Sequence, residues 1–228
     1  ILALANLPTF NPNSYNESKI SSFLNPAVQS IYEPGSVFKP VTMAAGIDLG
    51  VITPETTFYD SGKVTMNGKT ITNWDHKAHG KVTMTNVIER SINTGMVFVS
   101  QKIGRKKFIE YVKKFGFGEV TKVDLPEEIP GSLKNLERKN AQDVDFASAS
   151  FGQGTAVTPI QMITAFNIFP NNGIMLRPYL DASSKPREVR RVVSGETAKK
   201  VTAMMESAVE KAHVASVPQH RLAGKTGT

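Results

Sequence analysis

Apolar and polar positions change period several times along the chain, and each change predicts an element. Residues 1 to 7, "ILALANL", form an apolar run with no leading turn and read as a strand. The following "PTFNPNSYNESKISSFLNPAVQ" is rich in Pro, Asn and Ser and reads as a long loop. Pro40 is tolerated only in the first turn of a helix, so a helix begins within one turn of Ser36. It runs through "VTMAAGIDL" and stops near Gly50 as a C′ glycine. Alternating Thr and Val between residues 51 and 83 predict a short hairpin with Asn67-Gly68 at its tip. From Thr85 the period becomes helical in three runs, "TNVIERS", "TGMVFVSQKIG" and "RKKFIEYVKKFG", each closed by a small residue. Residues 119 to 146 show little periodicity and carry two prolines, so they read as a long excursion. Thr158, Pro159 and Gln161 form a T-x-x-Q capping box that opens "IQMITAFNIF". A last helix, "GETAKKVTAMMESAVEKA", leads to an extended "LAGKTGT".

This order, strand, helices, strand, predicts an α/β fold of the α+β type, with the two terminal strands sharing an antiparallel sheet that covers the helices. Residues 1–50 and 195–228 then make a sheet-side lobe and residues 51–194 a mainly helical lobe. Both ends fall inside strand-like runs, which reads as a fragment, because domain ends usually lie in exposed linkers.

Composition narrows the chemistry. The 228 residues carry a formal charge of +7, which suits an anionic neighbourhood such as nucleic acid, acidic lipid or cell-wall polymer. The basic clusters "GRKKF" and "VKKFG" sit on helical stretches and read as solvated faces, with no base-stacking aromatic pattern, so nucleic acid is the last choice. A chain without cysteine has no disulfide, no thiol nucleophile and no cysteine-ligated zinc. No run approaches the roughly 20 apolar residues of a membrane span.

Ser36 and Lys39 form an S-x-x-K at the predicted helix start, which puts Ser36 at the positive end of the helix dipole and Lys39 on the same face. A serine hydroxyl becomes a nucleophile when a base takes its proton, and a neutral lysine amine can be that base. Lysine ordinarily titrates near about 10.4, so neutrality near pH 7 demands a dry site or a second cation beside it. S-x-N occurs as Ser14 with Asn16 in the first loop and as Ser91 with Asn93 between two helices. The first reads as chance; the second is either a pair facing a cleft or helix capping. Lys225-Thr226-Gly227-Thr228 places a cation, hydroxyls and a glycine on the closing strand, where they would attract a carboxylate and let backbone approach it. His76 and His79 lack a third ligand at useful spacing and read as loop histidines. "FGQGT" is a weak phosphate cradle without a preceding strand, and no G-x-S-x-G elbow is present.

Taken in order, S-x-x-K, S-x-N and K-T-G resemble the serine acyltransferases that include penicillin-binding proteins and serine β-lactamases. "YEPGSVFKPVT", "HGKVTMTNVIERSINTGMVFVSQKIG", "FGFGEVTKVDLPEE", "SFGQGTAVTPIQM" and "LAGKTGT" extend the likeness over nearly the whole chain, to class B penicillin-binding proteins, with "YEPGS" closer to the division or sporulation type. That resemblance implies a penicillin-binding fold of which only part of the sheet is present, and peptidoglycan D,D-transpeptidase activity. It implies Ser36 as nucleophile, Lys39 as base, Ser91 as proton relay and Asn93 as amide binder. Lys225, Thr226, Gly227 and Thr228 would bind the terminal carboxylate, and the N–H groups of Ser36 and Thr228 would form the oxyanion hole. No cofactor or metal is implied. The expected partners are peptidoglycan stem peptides, β-lactams and the division or elongation machinery, at the extracytoplasmic face of the bacterial membrane. With Thr228 as the last residue, the resemblance also implies a fragment of impaired activity. The alternatives are a β-lactamase or carboxypeptidase, distinguished by turnover with water, and a non-catalytic β-lactam or wall-fragment receptor.

Overall fold

The computed structural model describes residues 1–213, 215 and 217–227. After an N-terminal stretch of single turns comes α1 (Pro26–Gln29), then a 3₁₀ turn, Gly35–Phe38, that runs directly into α2 (Lys39–Asp48). Pro40 lies in the first turn of α2, and Gly50 follows its end at φ +69°, as the sequence predicts. Two nested hairpins follow: β1 (Thr57–Asp60) pairs with β4 (Gly80–Thr83), and between them β2 (Lys63–Met66) pairs with β3 (Lys69–Thr72). The inner hairpin turns at Asn67 and Gly68, both at positive φ, the geometry that favours an Asn-Gly pair.

The helical middle is α3 (Met84–Glu89), α4 (Asn93–Ile103) and α5 (Arg105–Lys114). Two short helices follow, α6 (Lys134–Glu137) and α7 (Asp143–Ala149). They correct the reading of 119–146 as irregular throughout. The Asp145 carboxylate takes the Gln142 N–H at 2.7 Å, so a local cap starts a helix whose seven residues are too few to show a period. Thr158 caps α8 (Pro159–Phe166) through its hydroxyl and Gln161, as expected. An unforeseen hairpin, β5 (Ile174–Leu176) with β6 (Glu188–Arg191), precedes α9 (Gly195–Ala212).

The predicted terminal sheet is absent among the described residues. A strand exists only through a ladder with a neighbour. Ile1 instead gives its amino group to Tyr179 O at 2.7 Å, and Gly224 N–H points to Met205 O on α9 at 3.4 Å. Lys225 therefore sits on an unpaired segment laid against α9 and not on a strand. Helix and sheet still mix as the α+β reading requires, and α2 is the central element, buried from Lys39 to Ile47 against α4 and α9. One continuous apolar cluster, from Phe38 to Ala208, encloses it. No helix among the described residues is long and apolar enough to cross a membrane.

Candidate active site

Ser36 is half-buried in the 3₁₀ turn, and the carbonyl of Ser36 accepts the Lys39 N–H, so the two residues occupy one turn. The turn is held from behind by "SFGQGT". Gly35 N–H donates to Gly152 O at 3.0 Å, Gly154 N–H donates to Glu33 Oε1 at 2.9 Å, and Tyr32 pairs with Val157. Gly152 is at φ +83°, and a Cβ there would lie 2.2 Å from Gly35 O. Gly152→Ala is therefore expected to cost about 2 to 5 kcal/mol in strain and overpacking. Thermal unfolding would show this as a midpoint lowered by roughly 5 to 15 °C.

Lys39 is fully buried, and among the described residues its ammonium nitrogen has three partners: Ser91 O at 2.6 Å, Asn93 Oδ1 at 2.8 Å and Ser91 Oγ at 2.9 Å. All three are uncharged. Burial, and then the positive charge of Lys225, hold the Lys39 pKa well below the ordinary lysine value. Both routes to a neutral amine that the sequence demanded, a dry site and a second cation, are present.

Ser91 adopts φ +57°, an uncommon backbone for a residue with a side chain, at a cost of roughly 1 to 2 kcal/mol. In that conformation its carbonyl and its hydroxyl both reach Lys39. Asn93 opens α4, and its Nδ2 donates to Thr72 O at 2.9 Å, which fixes the amide so that Oδ1 faces Lys39. Of Lys39's three partners only the Ser91 hydroxyl can donate as well as accept. A neutral Lys39 can thus give two hydrogens to Ser91 O and Asn93 Oδ1 while its lone pair receives the Ser91 proton.

Lys225 is partly buried and its pKa is drawn down to about 8 by that burial. Its Nζ donates to Thr226 O at 2.9 Å. Gly227 lies against the Ser36 turn, where a Cβ would stand 2.8 Å from Val37 Cγ1. Thus S-x-x-K, the second S-x-N and K-T-G converge, while Ser14 and Asn16 lie in the 3₁₀ turn Pro12–Glu17. Thr228, expected in carboxylate binding and in the oxyanion hole, lies outside the described residues. His79 Nε2 approaches Asp75 Oδ2 at 3.2 Å, and no group of three potential metal ligands occurs among the described residues. Two structural partners escaped the sequence reading. Gly152 of "FGQGT" supports the Ser36 turn, and Asp60 takes the hydroxyl of Thr94, just after the S-x-N; a positive-φ glycine and a lone acid at a strand end are weak signals in one sequence.

The profile of the family "Penicillin binding protein transpeptidase domain" matches residues 1–228. Stage V sporulation protein D of Bacillus subtilis is 35% identical over 244 residues, covering 100% of this chain and 38% of that protein. A peptidoglycan D,D-transpeptidase FtsI homolog of Mesostigma viride is 30% identical over 264 residues, covering 100% of this chain and 44% of that protein. The chain thus spans under half the length of these relatives. The structure of the TP domain of Burkholderia pseudomallei penicillin-binding protein 3 superposes with a TM-score of 0.81 at 28% identity, covering 89% of this chain and 62% of that one. With the three motifs gathered around one buried lysine and the family profile spanning every residue, the chain belongs to the penicillin-binding protein transpeptidase domain family.

Proposed function

We propose that this chain carries the acyl-transfer centre of a peptidoglycan D,D-transpeptidase. The observation that carries the reading is the Lys39 amine, fully buried, one turn from Ser36 and held only by neutral partners. Lys39 takes the Ser36 proton as Ser36 Oγ attacks the carbonyl of the penultimate D-alanine of a stem peptide. The Ser91 hydroxyl gives its proton to the departing D-alanine amine and takes from Lys39 the one removed from Ser36, leaving an ester on Ser36 and a neutral Lys39. An amine from a neighbouring stem then displaces Ser36, which recovers its proton along the same path, and the cross-link forms.

Lys225 and Thr226 hold the substrate's terminal carboxylate, while Asn93 binds its amide. The Ser36 N–H is one oxyanion donor, with Thr228 as the expected second; losing one such donor costs roughly 3 to 4 kcal/mol. A β-lactam carboxylate and ring carbonyl would occupy the same places and stop at the ester. The printed name of the Mesostigma viride relative supports work on peptidoglycan; division or elongation machinery as partners and the extracytoplasmic membrane face as location are part of the proposal. The test is the intact mass of the protein after incubation with a penicillin. A stable adduct is expected, and it is absent in Ser36→Ala. Steady hydrolysis of the penicillin with no adduct would replace transpeptidation with β-lactamase activity, and an adduct that persists in Ser36→Ala would remove Ser36 as the nucleophile.

A further inference from the structure

The β1–β4 hairpin hides a carboxylate that the chemistry above does not use. Asp60 has no exposed surface, yet it receives four donors: Thr94 Oγ1 at 2.6 Å, Gly62 N–H at 2.8 Å, Asn73 Nδ2 at 2.8 Å and His79 N–H at 3.0 Å. Burying a carboxylate carries a large desolvation cost that such donors offset, and apolar side chains of similar volume often serve stability as well or better. A gain in geometry is the better account of its presence.

The geometry points to Asp60 as a positioning residue for the Lys39 site, fixing the start of α4 through Thr94 and Asn73 and thereby the Asn93 oxygen that Lys39 donates to. Helix α4 lacks a side-chain cap of its own, because Ile92 stands at the N-cap. Asn73 supplies the cap from outside, its Oδ1 taking the Thr94 N–H at 3.2 Å. Asp60 orients Asn73 by taking its amide, and takes the Thr94 hydroxyl in the first turn of α4. On the other flank, Thr72, the neighbour of Asn73, takes the Asn93 amide. Asn93 is therefore gripped from both sides by one assembly, and a shift of α4 would break its bond to Lys39.

Three of the four donors to Asp60 belong to the hairpin region, and only Thr94 belongs to α4. Thr94→Val removes that donor at nearly constant shape, Thr94→Ala leaves room for a water, and Thr94→Ser restores the hydroxyl. Thr65→Val, which breaks the exposed Thr65–Thr70 hydroxyl pair, is the control. Two readouts are taken on the full chain: the titration of the Lys39 Cε signal by carbon-13 NMR, and the penicillin acylation rate constant separated from the dissociation constant of the initial complex. The titration reads Lys39 among its neighbours Ser91, Asn93 and Lys225.

With the Asn93 oxygen displaced, the ammonium loses an acceptor, so the titration moves to lower pH in Thr94→Val and Thr94→Ala. Compared at a pH where Lys39 is neutral in both proteins, the acylation rate constant falls by at least about tenfold, and the dissociation constant also rises because Asn93 binds the ligand's amide. Thr94→Ser recovers both, and Thr65→Val changes neither. An unmoved titration in a folded Thr94→Val or Thr94→Ala overturns the proposal and leaves Asp60 as a stabiliser of the hairpin alone. The acylation arm rests on the reading of Ser36 as nucleophile. Absence of any adduct in the wild type would defeat that reading, while the titration arm still decides this one.

Discussion

Lys39→Met is expected to slow acylation of Ser36 by roughly 10²- to 10⁴-fold, the range that a positioned general base contributes. No other described side chain is placed to replace it: Ser91 and Asn93, the side chains around its nitrogen, offer a hydroxyl and an amide, neither basic enough to take the Ser36 proton. The fold should survive. Three oxygens lose a donor, which destabilises, but a buried amine is also removed, and the two effects oppose each other. The measurement is stopped-flow acylation by a chromogenic β-lactam, with thermal unfolding as the check on folding. A midpoint within roughly 5 °C of the wild type together with an unchanged rate would remove Lys39 from the mechanism.

Acylation should also follow a bell in pH whose two limbs belong to two lysines. The rising limb reports loss of the Lys39 proton, and lies well below 10.5 because burial and the Lys225 charge disfavour the ammonium. The falling limb comes near 8, where Lys225 loses the charge that attracts the substrate carboxylate. Lys225→Gln removes that cation. The Lys39 pKa then rises, the rising limb moves to higher pH, and the falling limb near 8 disappears. Each 1.36 kcal/mol (about one pH unit) of repulsion lost costs about tenfold in neutral amine below the Lys39 pKa.

The same shift has a stability consequence of opposite appearance. Between the depressed Lys39 pKa and its unfolded value near 10.5 the unfolded chain binds the extra proton, so the contribution of Lys39 to stability rises with pH in that window. Lys39→Met abolishes this slope. A pH profile of acylation that is identical in Lys225→Gln and wild type would show that Lys225 neither tunes Lys39 nor binds the carboxylate.

The sequence by itself determined the local elements and singled out the groups proposed to react. Pro40 placed the helix start beside Ser36, Asn67-Gly68 placed a turn, and Thr158 with Gln161 placed a cap, because each of these acts on its own backbone within a few residues. It also singled out Ser36, Lys39, Ser91, Asn93 and Lys225, since the order of their three motifs resembles that of a known family. Only the tertiary structure decided what depends on distant neighbours. Whether "ILALANL" and "LAGKTGT" become strands depends on a ladder partner, and neither has one among the described residues. The short α7 and the β5–β6 hairpin are likewise too brief for a period to declare them. Lys39's loss of basicity requires burial and an approach by Lys225, which is 186 positions away along the chain. Asp60 shows the same limit: an acid at a strand end is unremarkable in sequence, and it becomes part of the site only when Thr94 and Asn73 close over it.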